Sequence, residues 1–125
     1  MPGEYGYQPV NFTLVAANAI AQYHIVQASG TGYGGMATTD TQVLVGVAQQ
    51  AVIADDSISV CPLGLSKVVA GASISLGARI TSNASARAVA ATSGDVILGY
   101  AREAATADGD VITAFIAAFN DKMIA

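Results

Sequence analysis

The sequence predicts an all-β protein: a small single-domain β-barrel or sandwich of short antiparallel strands, with an extended N-terminal arm. Three observations carry this. From Val68 to Asp110 small polar and apolar residues alternate, and in an extended chain successive side chains fall on opposite faces. Gly or Asn turns cut the chain at intervals of about 8–12 residues, the rhythm of hairpin-connected strands. No run has the length and period of a long amphipathic helix. The turn–strand rhythm has no fixed repeat, which disfavours a solenoid. At 125 residues the chain is one domain, divided here into an arm over 1–11 and a β domain over 12–125.

The elements follow in order. Met1 to Val10 contains prolines, glycines, Tyr5 and Tyr7 and has no helical period, so it is expected to be extended. A disordered terminus is the bland reading. In the functional one, Tyr5, Tyr7, Val10 and Phe12 dock on a neighbour, adding a strand to a sheet edge. Ala16 to Ala21 suits a single helical turn, too short to stand alone. Gln22 to Ala28 reads as a strand, Gly30 to Gly35 as a flexible turn, and Thr41 to Gln49 as a strand with Val43, Val45 and Val47 on one face. A short strand is expected over Ala51 to Ile53, a turn at Asp55-Asp56, and extended chain over Ser57 to Cys61. Pro62 cannot donate to a ladder and belongs at an edge or strand end.

Leu63 to Val69 leads into the alternating stretch, where Ala72, Ile74 and Leu76 should share a face opposite Ser73 and Ser75. Gly77 turns the chain, and Ala78 to Thr81 extends it. Asn83 to Ala86 is a turn, because Asn tolerates left-handed backbone and Ser bonds local amides. Arg87 to Ala91 extends, Ser93 to Asp95 turns, and Val96 to Ala101 extends again. Ala107 to Asp110 is the last turn before Val111 to Phe119, whose β-branched and aromatic content favours a strand.

Composition narrows the function. Hydrophobic residues make up 53% and charged residues 11%, well under the roughly 25% charge of an average soluble protein. With 25 Ala and 13 Gly, the apolar content lies in small side chains that allow close backbone packing. So little surface charge fits an assembly component. The net charge of −4, with Lys67, Arg79, Arg87, Arg102 and Lys122 scattered, argues against nucleic acid. Glu4 and the lack of a basic start argue against a signal peptide, and Asn11, Asn18, Gln22, His24 and Gln27 interrupt any membrane span. Synthesis in the cytoplasm is expected.

Candidate chemistry is sparse. Gly30, Gly32 and Gly35 match G-x-G-x-x-G with Asp55 and Asp56 beyond, but the fingerprint needs a helix opening at the loop. A threonine-rich approach to a valine strand follows instead, so the loop reads as a hairpin. His24 lacks a visible catalytic constellation. Cys61, the single cysteine, fits a buried small hydrophobe. Asp108 and Asp110 around Gly109 lack the further carboxylates a calcium site requires and read as turn residues. No catalytic residue, metal site or cofactor is expected.

One stretch carries a resemblance. AGASISLGARITSNASARAVAA, followed by GYAREAATADGDVITAFI, resembles the small head-decoration, or capsid cement, proteins of tailed phages. The matching positions are Gly71 and Gly77, Arg87-Ala88-Val89, Gly99-Tyr100-Ala101 with Glu103, Gly109-Asp110, and upstream Val45-Gly46-Val47-Ala48 and Phe12 to Ser29. The likeness covers about nine tenths of the chain. It departs before Arg87, where the family often has Asp-Gly and this chain has Ser85-Ala86. The resemblance implies a structural, non-enzymatic virion protein on the outer capsid surface. It would bind the expanded head, bridge neighbouring major capsid protein subunits, and resist internal DNA pressure, as a trimer with copies of itself. It also makes Arg87 a candidate contact, because the turn before it is a recurring element. The rival reading is a lipoyl- or biotinyl-type carrier domain modified at Lys67, which would need that lysine at a hairpin tip.

Overall fold

The computed structural model describes residues 10–38, 43–120 and 123. Among them are nine strands and no helix: β1 (Val10–Ala16), β2 (Ile25–Ala28), β3 (Tyr33–Met36), β4 (Leu44–Ala48), β5 (Ser57–Val69), β6 (Arg79–Ser82), β7 (Ala88–Ala90), β8 (Gly99–Ala101) and β9 (Val111–Ala117). The turn chemistry read from the sequence bounds them. Gly30, Gly32, Gly77, Gly94 and Gly109 all have positive φ in the connections. At the Asn83 turn the side-chain Oδ1 accepts the Ser85 and Arg87 amides at 2.8 and 3.0 Å. There Ala86 takes φ +63°, a left-handed conformation a glycine would adopt without strain.

Five strands close into a barrel, in the order β1-β3-β2-β4-β5 with β5 returning to β1. Its interior packs Ala16, Ile20, Val26, Ala48, Ile58 and Val60, with Leu14 and Met36 alongside. One barrel pair, β1 with β3, is parallel, Val15 lying opposite Tyr33. The other named strand pairs are antiparallel, as expected, and only this one departs. The remaining strands form a second sheet, β5-β9-β8-β6-β7, hung on the far half of β5. It rolls over until Ala70 bridges Ala88, and the Gly71 amide donates to the Ala88 carbonyl at 2.7 Å.

β5 is therefore the shared wall. It runs 13 residues straight through Pro62, which lies mid-strand rather than at an edge or end, and it is not a short strand. The proline is tolerated because of where it falls. The β1 register jumps from Phe12↔Val60 to Val10↔Leu63, so Pro62 occupies an irregularity in the ladder. Its carbonyl still accepts the Ala118 amide at 2.9 Å. An extra residue on one strand turns its following side chains to the other face. Accordingly Ile58 and Val60 fill the barrel, while Val68 packs in the second core.

That second core is the larger one. It joins Ile25, Leu44 and Val47 on the outside of the barrel to Ile74, Ile80, Leu98, Ile112, Ala114 and Ile116 of the rolled sheet. β2 and β4 are thus buried on both faces, Ile25 against one core and Val26 against the other.

Several local expectations need correction. Residues 72–76 form no strand: Ile74 makes an isolated bridge to Ala105, and Leu76 stands 68% exposed rather than beside Ile74. Gly34 and Gly35 lie inside β3, where a Cβ on Gly34 would crowd Val26 and Leu14 in the barrel. Ala16 to Ala21 makes no helical turn, because Ile20 is held in a bridge to Val52, the only pairing within the expected third strand. Val43, Val45 and Val47 do not share a face, since the register against β2 shifts at Val45 and Gly46 sits there at φ +144°.

Candidate docking surface

Among the described residues, no layer covers the outer face of the second sheet. Its residues follow from the registers: Leu65 lies opposite Phe115, Phe115 opposite Tyr100, and Tyr100 opposite Arg79. Directly paired residues share a face, so these four form one row across β5, β9, β8 and β6. Leu63, paired with Ala117, extends the row's apolar end. The Tyr100 and Phe115 rings meet with centroids 5.6 Å apart and a 31° tilt, within the usual range for favourable aromatic pairs. Tyr100 is 40% and Phe119 67% exposed.

A groove of about 300 Å³ runs through this face, lined by Arg79, Ile97, Gly99, Tyr100, Phe115 and Phe119. Gly99 is required at its floor. A Cβ there would fall inside the van der Waals envelope of the Phe115 carbonyl, so β8 and β9 could not close to pairing distance. One cationic guanidinium beside an aromatic-lined trough suits an apolar surface that offers an acceptor or carboxylate at one side.

Polar groups border the face. The Thr113 amide donates to Glu103 at 2.6 Å. Hydrogen bonding from Thr113, first of all from its side chain, holds the Glu103 carboxyl below its usual range, with a smaller pull from Lys67. Asp110 is held down likewise, by the Thr106 amide and hydroxyl and by the Ala107 amide, and it ties the turn that starts β9.

The residues singled out from sequence fall elsewhere. Tyr5 and Tyr7 lie outside the described residues. The Val10 backbone pairs with Leu63, so β1 enters at the corner of the apolar face, and Phe12, opposite Val60, is 37% exposed. Arg87 is engaged within the chain: its Nη1 meets Asp108 at 2.8 Å and its Nε donates to His24 Nε2 at 3.4 Å. Lys67 sits in the interior of β5 opposite Thr113 and not at a hairpin tip, which removes the carrier-domain reading. Gly30 and Gly32 turn the β2–β3 hairpin and no helix follows. Burial raises the Cys61 thiol above its ordinary value, as for an inert core cysteine.

Tyr100, Phe115 and Phe119 were not singled out from sequence. Their adjacency depends on which strands pair, and only the alternation in Val111 to Ala117, with Phe115 on the face opposite Ile112, Ala114 and Ile116, hinted at it.

A small all-β module with a rigid core, little charge and one uncovered aromatic face is a structural docking protein. The chain belongs to the phage cement protein family, whose pattern it matches over residues 6–116. Capsid decoration is therefore its role. Among solved structures it is similar to the head fiber gp8.5 N base of bacteriophage phi29, with 24% identity and a TM-score of 0.69. That likeness covers 94% of this chain and all of the other, and it shows the shared fold. No curated protein matches the chain.

Proposed function

We propose that this cement protein lays the outer face of its second sheet on the outer surface of the expanded head, across the junction between neighbouring major capsid protein subunits. The observation that carries the reading is the aligned row Leu65–Phe115–Tyr100–Arg79 with its groove, uncovered on a chain of low charge. Aromatic residues and Arg are the types enriched where proteins meet. Burying such a patch stabilises a contact by about 25 cal/mol per Å² of apolar surface, less the cost of association. Each contact is modest. A rigid module that touches two subunits, or three copies joined as a trimer, gains effective concentration for every further contact and so resists separation of the subunits by internal DNA pressure.

The Val10 backbone pairs with Leu63 at one end of this face, and Phe12, opposite Val60, lies further along β1. Tyr5 and Tyr7 stay as proposed contacts to a neighbour, while Arg87 is engaged with Asp108 and His24 within the chain, and we assign the main contact to the row.

The test is addition of the protein to expanded heads that lack decoration. Saturable binding that raises the heads' resistance to heat is the expected result, with sedimentation of the free protein reporting whether it is a trimer. Heads that neither bind the protein nor gain heat resistance would overturn the reading.

A further inference from the structure

We propose that Asp108-Gly109 is a modification site, where aspartate isomerises spontaneously to isoaspartate, and that Arg87 and Ala70 hold the reaction in check. Three observations lead there.

The first is the dipeptide. Asp108 is the single Asp or Asn of the chain that a glycine follows. In the reaction the backbone nitrogen of the next residue attacks the aspartyl Cγ. The proton of that nitrogen and the hydroxyl of the protonated carboxyl leave together as water, and a succinimide ring closes. Water then opens the ring at either carbonyl. One opening restores aspartate; the other leaves isoaspartate, whose main chain runs through Cβ and Cγ. The water lost in closure is taken up in opening, so no other reactant is needed. A side chain on the following residue hinders the attack, and glycine has none.

The second is access. The Asp108 side chain is 63% exposed, so water reaches it. Gly109 has φ +95°, and among the described residues nothing lies within 4 Å of where its Cβ would stand. Crowding does not shield the dipeptide.

The third is the pair of bonds that hold it. The Gly109 amide, which is the attacking nitrogen, donates to the Ala70 carbonyl at 2.8 Å. The Asp108 Oδ1 accepts from Arg87 Nη1 at 2.8 Å, and Arg87 is itself steadied by His24, to which its Nε donates at 3.4 Å. Ring closure removes the amide proton and needs a protonated carboxyl, so both bonds must break before it can occur.

The same atoms fasten the second sheet. Ala70 also donates to the Asp110 carbonyl at 2.7 Å, and it bridges Ala88 where the sheet rolls shut. Isoaspartate adds one main-chain atom just before the Gly109 nitrogen. It therefore shifts this turn against Ala70 and loosens the closure.

Capsid binding plays no part in this chemistry, so the test uses the isolated full-length protein. Native and guanidinium-denatured samples are aged side by side, with isoaspartate counted by enzymatic methyl transfer and located by peptide fragmentation. The denatured chain should form isoaspartate at residue 108 at least about tenfold faster than the native one. In native Arg87→Met the rate should rise about threefold, the size of one exposed ion pair, and Arg87→Lys should bring it back toward the parent's. Circular dichroism matching the parent's reports that the variants are folded. Asp108→Glu, whose longer side chain cannot close the same ring, should lose the signal. Equal rates in the native and denatured parent would overturn the proposal, and so would a folded Arg87→Met that ages as the parent does. A signal that survives Asp108→Glu would place the reaction elsewhere and overturn it too.

Discussion

In the barrel, β1 returns to β5 and each wall strand has a neighbour on both sides; in the rolled sheet, β5 to β7 curl over with one bridge at Ala70↔Ala88 and one face uncovered. The barrel's exposed apolar residues Phe12, Tyr33, Val43 and Ile53 are spread over β1, β3 and two connections. In the rolled sheet Leu76 stands apart in a connection, but Leu65, Phe115 and Tyr100 are aligned by register into a patch. Scattered apolar residues are ordinary on any surface, while a contiguous patch marks a contact. Under the proposed function the barrel is the support and the rolled sheet the working face, with β5 shared between them.

Close backbone approach offers the harshest way to break this comparison. Gly46 in the barrel has positive φ and no room for a Cβ beside the Cys61 carbonyl, and Gly99 has none beside Phe115. Gly46→Ala and Gly99→Ala should each lose about 4 kcal/mol or more in denaturant unfolding, or fail to fold. Core truncation is the next largest. Ile58→Ala and Ile116→Ala, both fully buried, should cost about 2–5 kcal/mol each. Hydrogen exchange should separate them: Ile58→Ala loosens the barrel, whereas Ile116→Ala, in the core shared with Ile25 and Val47, loosens both regions. Identical exchange patterns would merge the two regions into one unit.

Turn chemistry sharpens the comparison at lower amplitude. The Asp110 carboxyl is depressed by its Thr106 and Ala107 bonds, so its stabilisation is present above the ordinary carboxylate range and is lost as pH falls below about 4 through the depressed value. Asp110→Asn should flatten the acid limb of a thermal-midpoint profile, with the exchange change centred on the start of β9. Ala86→Gly should give the smallest effect. Relief of left-handed strain, about 1–2 kcal/mol, is offset by the loss of a buried methyl worth about 0.8 kcal/mol and by the greater freedom of unfolded glycine. A net change within about 1 kcal/mol is expected from equilibrium unfolding.

What the sequence made legible was local. The turns at Asn83, Gly94 and Gly109 are written in residues that tolerate positive φ or bond their own backbone, and the alternation from Val111 onward is the alternation of β9. What it hid depends on distant partners. Ala72 to Leu76 alternates as a strand should, yet only Ile74 finds one. Pro62 reads as an edge or strand-end residue until the β1 ladder, which skips there, is known. The parallel β1–β3 pair and the docking row have the same origin: Tyr100 and Phe115 are neighbours because β8 pairs with β9, and Leu65 joins them from fifty residues before Phe115. The tyrosines of the arm stand out in a segment with no charge beyond Glu4, whereas Tyr100 does not stand out within a strand.

The most direct measurement is the affinity of decoration-free expanded heads for Tyr100→Glu beside Ile53→Glu. Both place a carboxylate at an exposed apolar position, one on the docking row and one on the barrel's 68%-exposed loop residue. The account predicts that Tyr100→Glu weakens binding at least about tenfold, because the aromatic ring is lost and the new carboxylate, opposite Arg79, engages the guanidinium that the contact would use, while Ile53→Glu binds as the parent does. Parent-like binding by Tyr100→Glu, or loss of binding through Ile53→Glu alone, would contradict the assignment of the working face to the rolled sheet.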